Sequence, residues 1–182
     1  MIKRLFIITL LAVVMPMRSA AQYARAVDYS TDAAMFIPAA GGLGVAIDEG
    51  DREGIAQLGK TLAVSTAVTY ILIYSVKKAR PDGDGFDAFP SNHCNFAFGG
   101  ATFLQRRYGW KWGVPAYLVS AYVAWGRIYA GKHDIWDVLA GAAISVGSGF
   151  LFTTPFAKKH NVQLAPVVTS EGGCGVYFSM SL

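Results

Sequence analysis

GIAQLGKTLAVSTAVTYILIYSVKKARP, residues 54–81, decides the fold. Its central part, Leu62 to Val76, carries no charge and is apolar on every side of a helix, the pattern of a helix buried in a large core or a membrane. The run stops at Arg80-Pro81, because the residue before a proline is pushed out of the helical region. Asp82-Gly83-Asp84-Gly85 follows as turn chemistry, and a loop continues to Pro90.

Working toward the C-terminus, the pattern predicts helices over about Asn92–Tyr108, Trp112–Tyr129 and Asp134–Thr153, separated by Gly109 and Gly131 and ended by Pro155. Val162 to Leu182 alternates around Gly172-Gly173 and reads as a short β-hairpin tail. Toward the N-terminus, Ala33 to Ile47 is small, apolar and glycine-rich, a first helix broken by Asp48, Glu49, Asp51 and Glu53. Tyr23 to Thr31 is mixed and reads as a short surface segment. Lys3 and Arg4, the apolar run Leu5 to Met17 and the small residues Ser19-Ala20-Ala21 have the layout of a secretory signal peptide cleaved after Ala21. That apolar run is shorter than the roughly 20 residues a spanning helix needs. The expectation is an all-α bundle of about five helices: 1–21 signal peptide, 22–160 helical domain, 161–182 tail.

Composition agrees with a membrane setting. Hydrophobic residues make up 53% of the chain and charged ones 15%, more apolar surface than a soluble domain needs. The net charge of +4 shrinks once residues 1–21 are set aside, leaving 13 basic against 12 acidic side chains. No basic stripe with interleaved aromatics is present, so nucleic acid is not an expected partner. The two cysteines, Cys94 and Cys174, would sit in an oxidising compartment that permits a disulfide, but their spacing does not demand one.

If the mature N-terminus is outside, the Asp48–Glu53 loop falls inside, Arg80–Pro90 outside, Arg106-Arg107-Lys111 inside, Arg127–His133 outside and Lys158-Lys159 inside. Two basic loops then lie in the cytoplasm, as the positive-inside rule prefers. Lys77, Lys78, Arg80, Arg127 and Lys132 break the rule together, at the face where both histidine-bearing loops meet. Charge concentrated there points to a site.

Three blocks supply it: Lys77-Lys78-Ala79-Arg80-Pro81, Pro90-Ser91-Asn92-His93, and GRIYAGKHDIWD over 126–137. Arg80 and Arg127 suit phosphate, because a guanidinium makes paired charge-assisted hydrogen bonds to its oxygens. Ser91 offers a hydroxyl, and a helix starting at Asn92 offers free N–H groups to an anion. His133 and Asp137 share a helix face at i,i+4; a carboxylate holding one ring nitrogen would leave the other as a nucleophile or base. His93, on another loop, is free to donate a proton to a leaving alkoxide. Each block alone reads more simply, as a helix stop, an N-cap and a surface pair. Their joint presence on one face favours phosphoryl transfer.

The blocks resemble the three signature motifs of the type 2 phosphatidic acid phosphatase family, which shares its fold with bacterial acid phosphatases and vanadium haloperoxidases. Arg-Pro, Pro-Ser-x-His and Arg-x₅-His-x₃-Asp occur in the family's order across about Leu62–Phe152. The resemblance implies that His133 attacks phosphorus and forms a phosphohistidine, Asp137 orients it and His93 protonates the leaving group. It also implies phosphate binding by Arg80, Arg127 and Ser91, with no metal or cofactor. The substrate would be a phosphomonoester or pyrophosphate on a lipid, such as phosphatidic acid, phosphatidylglycerophosphate, an undecaprenyl carrier or lipid A. The enzyme would lie in the bacterial inner membrane with its site facing the periplasm.

Three positions depart from the family pattern. Ile73 stands where the family has a lysine seven residues before the arginine, Asn92 replaces the glycine of the second motif, and Gly126 replaces the serine before the third-motif arginine. Lys77, one turn beyond Ile73, could reach the same phosphate, and Asn92 keeps the tolerance for left-handed backbone angles. Two alternatives follow: a degenerate member that binds phospholipid headgroups or supports an envelope complex, and a vanadate-dependent haloperoxidase. The sequence leaves the particular lipid and the oligomeric state open.

Overall fold

The computed structural model describes residues 22–156, and the backbone alone of 162–168 and 174–180. The expected signal peptide, Lys158-Lys159 and His160 lie outside the described residues. Five helices run in order among those described. They are α1 (Gln22–Asp48, with a turn at Met35-Phe36 before its Ile37–Asp48 part), α2 (Arg52–Val76), α3 (Asn92–Tyr108), α4 (Trp110–Tyr129) and α5 (Ile135–Phe152). Beyond them, β1 (Val162–Val168) and β2 (Cys174–Met180) pair antiparallel with Val162 opposite Met180. Residues 23–31, expected as a short surface segment, are helical. The segment is mostly exposed, as expected of surface, but Asp28 within it is paired with Arg127.

Local chemistry sets the boundaries. Asp51 caps α2 by accepting from Gly54 N, and Lys77 ends it in the left-handed region at φ 48°. Ser91 caps α3. A single residue, Gly109, joins α3 to α4 at φ 89°, an angle that favours glycine because it has no Cβ. Asp134 and Asp137 form a reciprocal capping box at the start of α5: Asp134 accepts from the N–H groups of Trp136 and Asp137, and Asp137 accepts from the Asp134 N–H.

Helix α3 is the central one and packs against each of the other four. It is also among the shortest and the least apolar, yet it contributes ten buried residues, many of them small. Helices surrounding it come close enough to leave no room for side chains. A Cβ on Gly100 would lie 2.4 Å from Ala39 N of α1, one on Gly149 2.5 Å from Thr102 Cγ2, and one on Gly141 2.3 Å from the Ser91 carbonyl oxygen. The large apolar side chains point outward instead, Ile71, Leu118 and Leu151 being 65%, 68% and 80% exposed. Helices α1, α2 and α5 are long and apolar enough to cross a membrane. An exposed apolar surface of this extent is stable in lipid, where Leu and Ile cost nothing to expose. The protein is a membrane protein.

At the end opposite the histidines, Arg107 and Asp51 form a buried two-pronged ion pair, Nε to Oδ2 at 2.7 Å and Nη2 to Oδ1 at 2.6 Å. Tyr108 donates to the same carboxylate at 2.8 Å, and Arg107 Nη1 donates to the Thr154 carbonyl at 2.9 Å. The Arg107 hydrogen bonds, first among the causes, bring the Asp51 carboxyl down to about 2. This network ties the start of α2, the end of α3 and the chain after α5 into one corner.

The helix contacts generate a paired prediction. Gly141→Ala puts a methyl into the Ser91 carbonyl and should lower the unfolding temperature in detergent by several degrees. Gly147→Ala, where a Cβ meets nothing within 4 Å, should leave it unchanged or raise it, since alanine favours helix by up to about 1 kcal/mol over glycine.

Candidate active site

The α2–α3 loop, the start of α3 and the α4–α5 turn converge on one end of the bundle. A cavity of 310 Å³ opens there, lined by Tyr70, Ile73, Tyr74, Arg80, Asp87, Asn92, His93 and His133. The larger cavity of 510 Å³ lies at the Asp51–Arg107 corner and contains no histidine. Among the described residues no cluster of three or more His, Cys, Asp or Glu side chains is arranged to hold a metal ion.

His133 is 4% exposed and sits in the turn between α4 and α5. Its Nδ1 lies 2.8 Å from the Ala88 carbonyl oxygen. A carbonyl only accepts, so Nδ1 carries the proton, and in the neutral ring Nε2 carries the lone pair. Ala88 is itself fully buried and its N–H donates to the Lys78 carbonyl at 3.1 Å, so the acceptor is rigidly placed. Burial is the first cause that moves His133, bringing it from 6.5 to about 4. The Ala88 bond opposes this, and the charges of Arg127, His93 and Arg80 add to it.

Asp137, expected to hold His133, is 3.8 Å from Nδ1 and makes no hydrogen bond to it. Ala88 takes that place. Asp137 is fully buried and holds other things: Lys78 Nζ at 2.7 Å on Oδ1, and the Asp134 N–H at 2.9 Å on Oδ2. Its own carbonyl accepts from the Ser91 N–H at 2.9 Å. Lys78 also binds Asp134. Desolvation alone would lower Lys78, but the Asp134 and Asp137 hydrogen bonds outweigh it and raise the ammonium above its ordinary value. Asp134 is lowered by the same Lys78 bond.

The other expected residues fall into two groups. His93, Arg80 and Asn92 line the cavity with His133, and the two imidazole centroids are 6.4 Å apart. Arg80 is ion-paired with Asp87 at 2.7 Å. The Asn92 side-chain oxygen is buried without a hydrogen-bond partner among the described residues. Ser91 and Arg127 lie behind this wall, both buried; the Ser91 hydroxyl accepts from the Cys94 N–H at 3.5 Å, a long N-cap. Lys77 is exposed at the left-handed end of α2 and is not among the lining residues; Lys78 is the lysine that turns inward. Ile73, at the family's lysine position, is one of the walls. Cys94 is buried with a free thiol.

Two functional candidates were missed altogether. Asp28 and Asp32 of α1 both accept from Arg127 Nη1, at 2.6 and 2.9 Å, and Asp32 Oδ1 also lies 2.8 Å from His93 Nε2. His93, expected to be free, therefore has a carboxylate partner. The available signal was the pair of acids at i,i+4, a like-charge spacing that disfavours a helix unless a cation lies between them.

The buried His133 generates a prediction independent of any assay. In histidine-labelled protein, NMR should show its neutral, Nδ1-protonated ring down to about pH 5, well past the 6.5 of a free imidazole. The folded pKa lies below the unfolded one, so the group's share of stability is whole above 6.5 and is lost as pH falls toward 4. A ring that titrates near 6.5 in the folded protein would contradict the burial.

The PAP2 superfamily matches this chain over residues 54–160. A Helicobacter pylori protein described as lipid A 4'-phosphatase is 32% identical over 136 residues, 66% of each chain. A Porphyromonas gingivalis protein described as lipid A 1-phosphatase is 36% identical over 81 residues, 43% of this chain and 18% of that protein. The chain thus spans 66% and 18% of the lengths of these two relatives. Among solved structures, Aquifex aeolicus LpxE superposes with a TM-score of 0.46 at 23% identity, over 71% of this chain and 92% of that one.

Proposed function

The chain belongs to the PAP2 superfamily, and from that premise we propose that it hydrolyses a lipid-linked phosphomonoester or pyrophosphate through a phosphohistidine on His133. The observation that carries the reading is the neutral His133, with Nδ1–H fixed on the Ala88 carbonyl, across one cavity from His93. Nε2 attacks phosphorus, the bond to the leaving oxygen breaks, and His93 supplies that oxygen with a proton. Water then displaces the phosphoryl group from Nε2 and releases orthophosphate. Arg80 and the first N–H groups of α3 bind the phosphoryl oxygens, as the charge spread over them in the transition state requires, and Arg127 and Ser91 support them from behind the cavity wall. Asp137 acts on this centre through the loops and Lys78, rather than through a bond to the ring.

A lipid substrate is favoured by the cavity wall. Tyr70 and Tyr74 line it from α2, a helix able to cross the membrane, and both are exposed on the side where lipid would lie. The names of the two relatives favour a phosphate on a lipid A type of glycolipid. The charge pattern of the loops favours the inner membrane with the pocket toward the periplasm.

A second reading has one observation in its favour. Ile73 fills the family's lysine position on the cavity wall, so the chain could bind phosphorylated headgroups without turning them over.

The test is phosphate release by the detergent-solubilised chain from lipid A phosphates, phosphatidic acid, phosphatidylglycerophosphate and undecaprenyl pyrophosphate, with a chelator present. Release is expected from at least one of them, with a loss of about 10³-fold or more in His133→Ala, the usual scale for removing a nucleophile. Release that survives His133→Ala would sink the histidine mechanism. No release from either protein, with a gain in Ile73→Lys, would establish the second reading.

A further inference from the structure

We propose that Asp32 of α1 is a positioning residue for His93, pairing with it so that His93 serves first as acid and then as base; this rests on the phosphatase reading above. An ionised carboxylate only accepts hydrogen bonds, so the 2.8 Å contact requires a proton on His93 Nε2. With Nε2 committed to Asp32, the nitrogen available to the leaving group is Nδ1. In the first step His93 starts as imidazolium: His133 Nε2 forms the bond to phosphorus, the bond to the leaving oxygen breaks, and that oxygen takes the Nδ1 proton. His93 is left neutral, and Asp32 keeps it in the Nε2–H tautomer with a lone pair on Nδ1. That lone pair takes a proton from water in the second step, as the water oxygen bonds to phosphorus and the phosphorus–Nε2 bond of His133 breaks. His93 is again imidazolium and His133 again neutral.

The charges around His93 make a partner necessary. Arg127 donates to the same Asp32 oxygen that His93 contacts, and a guanidinium this near disfavours a second positive charge on the ring. Burial and this guanidinium together hold the ring below its ordinary value, and the Asp32 carboxylate opposes them. Asp28 shares the load on Arg127 at 2.6 Å but has no contact with His93.

The approach of α1 is also built into the third motif. A Cβ on Gly126 would lie 2.4 Å from Thr31 Cγ2 and 3.0 Å from Val27 Cγ1, so a serine there would push α1 away. Ser30 meets Tyr122 at 2.7 Å one turn earlier on α4. Gly126 thus admits the helix face that carries Asp28 and Asp32, and the carboxylates supply Arg127 with partners in the neighbourhood of the missing hydroxyl. Residues 22–53, which carry Asp28 and Asp32, lie outside the span matched by the family.

The experiment compares kcat/KM of the full chain on an alkyl phosphate, whose leaving group needs a proton, and on p-nitrophenyl phosphate, whose leaving group does not. Asp32→Asn should lose about 10²- to 10³-fold on the alkyl ester, the usual scale for general acid catalysis, and less than about 10-fold on the aryl ester. His93→Ala should show the same selectivity, and Asp32→Glu should recover part of the alkyl activity. Asp28→Asn should move both substrates alike. Equal losses on both esters in Asp32→Asn, or none, would overturn the pairing while His133→Ala still reports on the phosphatase reading. A wild-type chain inactive on both esters and on the lipid panel would overturn both. Should Asp32→Asn unfold early, the ester selectivity of Asp32→Glu decides instead: a smaller loss of the same kind supports the pairing, and an equal loss on both esters rejects it.

Discussion

The three sequence blocks meet because of one buried carboxylate. Asp137 has no exposed surface, and its side chain is bound to Lys78 from the first block and to the Asp134 N–H of its own turn. Its carbonyl holds the Ser91 N–H of the second block. An ionised carboxylate in such a place is tolerable only when every oxygen is paired, and removing one partner of a buried pair typically costs about 3–5 kcal/mol. The loops therefore have little freedom to separate. Ala88 is fixed between Lys78 and His133 as a consequence, and the orientation of the His133 ring follows from it. A residue that makes no hydrogen bond to the ring determines where the ring's lone pair lies.

Around that anchor the bundle inverts the usual distribution of apolar residues. The central helix α3 carries Gly99, Gly100, Ala97 and Ala101 at its contacts, because four neighbours press against it and small side chains let backbones approach. Many bulky side chains of α2, α4 and α5, such as Ile71, Leu118 and Leu151, turn outward. Polar pairs close both ends, with Arg107 and Asp51 at one and the Lys78, Asp134 and Asp137 group at the other. Rigid ends and a tightly packed middle suit a site in which two rings from different loops must keep one separation.

Much of this was legible. The helices α3, α4 and α5 begin and end within two residues of the predicted bounds, and α2 stops one turn before Arg80-Pro81, since these signals are local. The gathering of Arg80, His93 and His133 was legible from motif order. What failed was anything that depended on where a neighbouring element lies. The i,i+4 spacing of His133 and Asp137 allowed a contact, but could not show that the Ala88 carbonyl would be nearer. Lys77 and Lys78 are adjacent in sequence, and only the left-handed backbone at Lys77 decides which of them turns inward. Tyr23 to Thr31 was read as a short surface segment from its mixed composition; it is exposed but helical, and its helix brings Asp28 and the neighbouring Asp32 to an arginine almost a hundred positions away.

That last misreading bears on how the departures from the family pattern should be weighed. Taken one at a time, Ile73 and Gly126 each remove a phosphate-binding group and suggest decay. In the folded chain Gly126 has a positive use, because it is the gap through which Thr31 seats α1, and α1 brings two carboxylates to Arg127. A decaying site would have no reason to keep Asp28 and Asp32 at a spacing that weakens their own helix unless Arg127 lies between them. The cost is met by a contact that exists only when α1 is docked on α4. The glycine and the docked helix face therefore go together in this chain, and Arg127 is held in place. Ile73 and Asn92, both on the cavity wall, are the departures that bear directly on turnover.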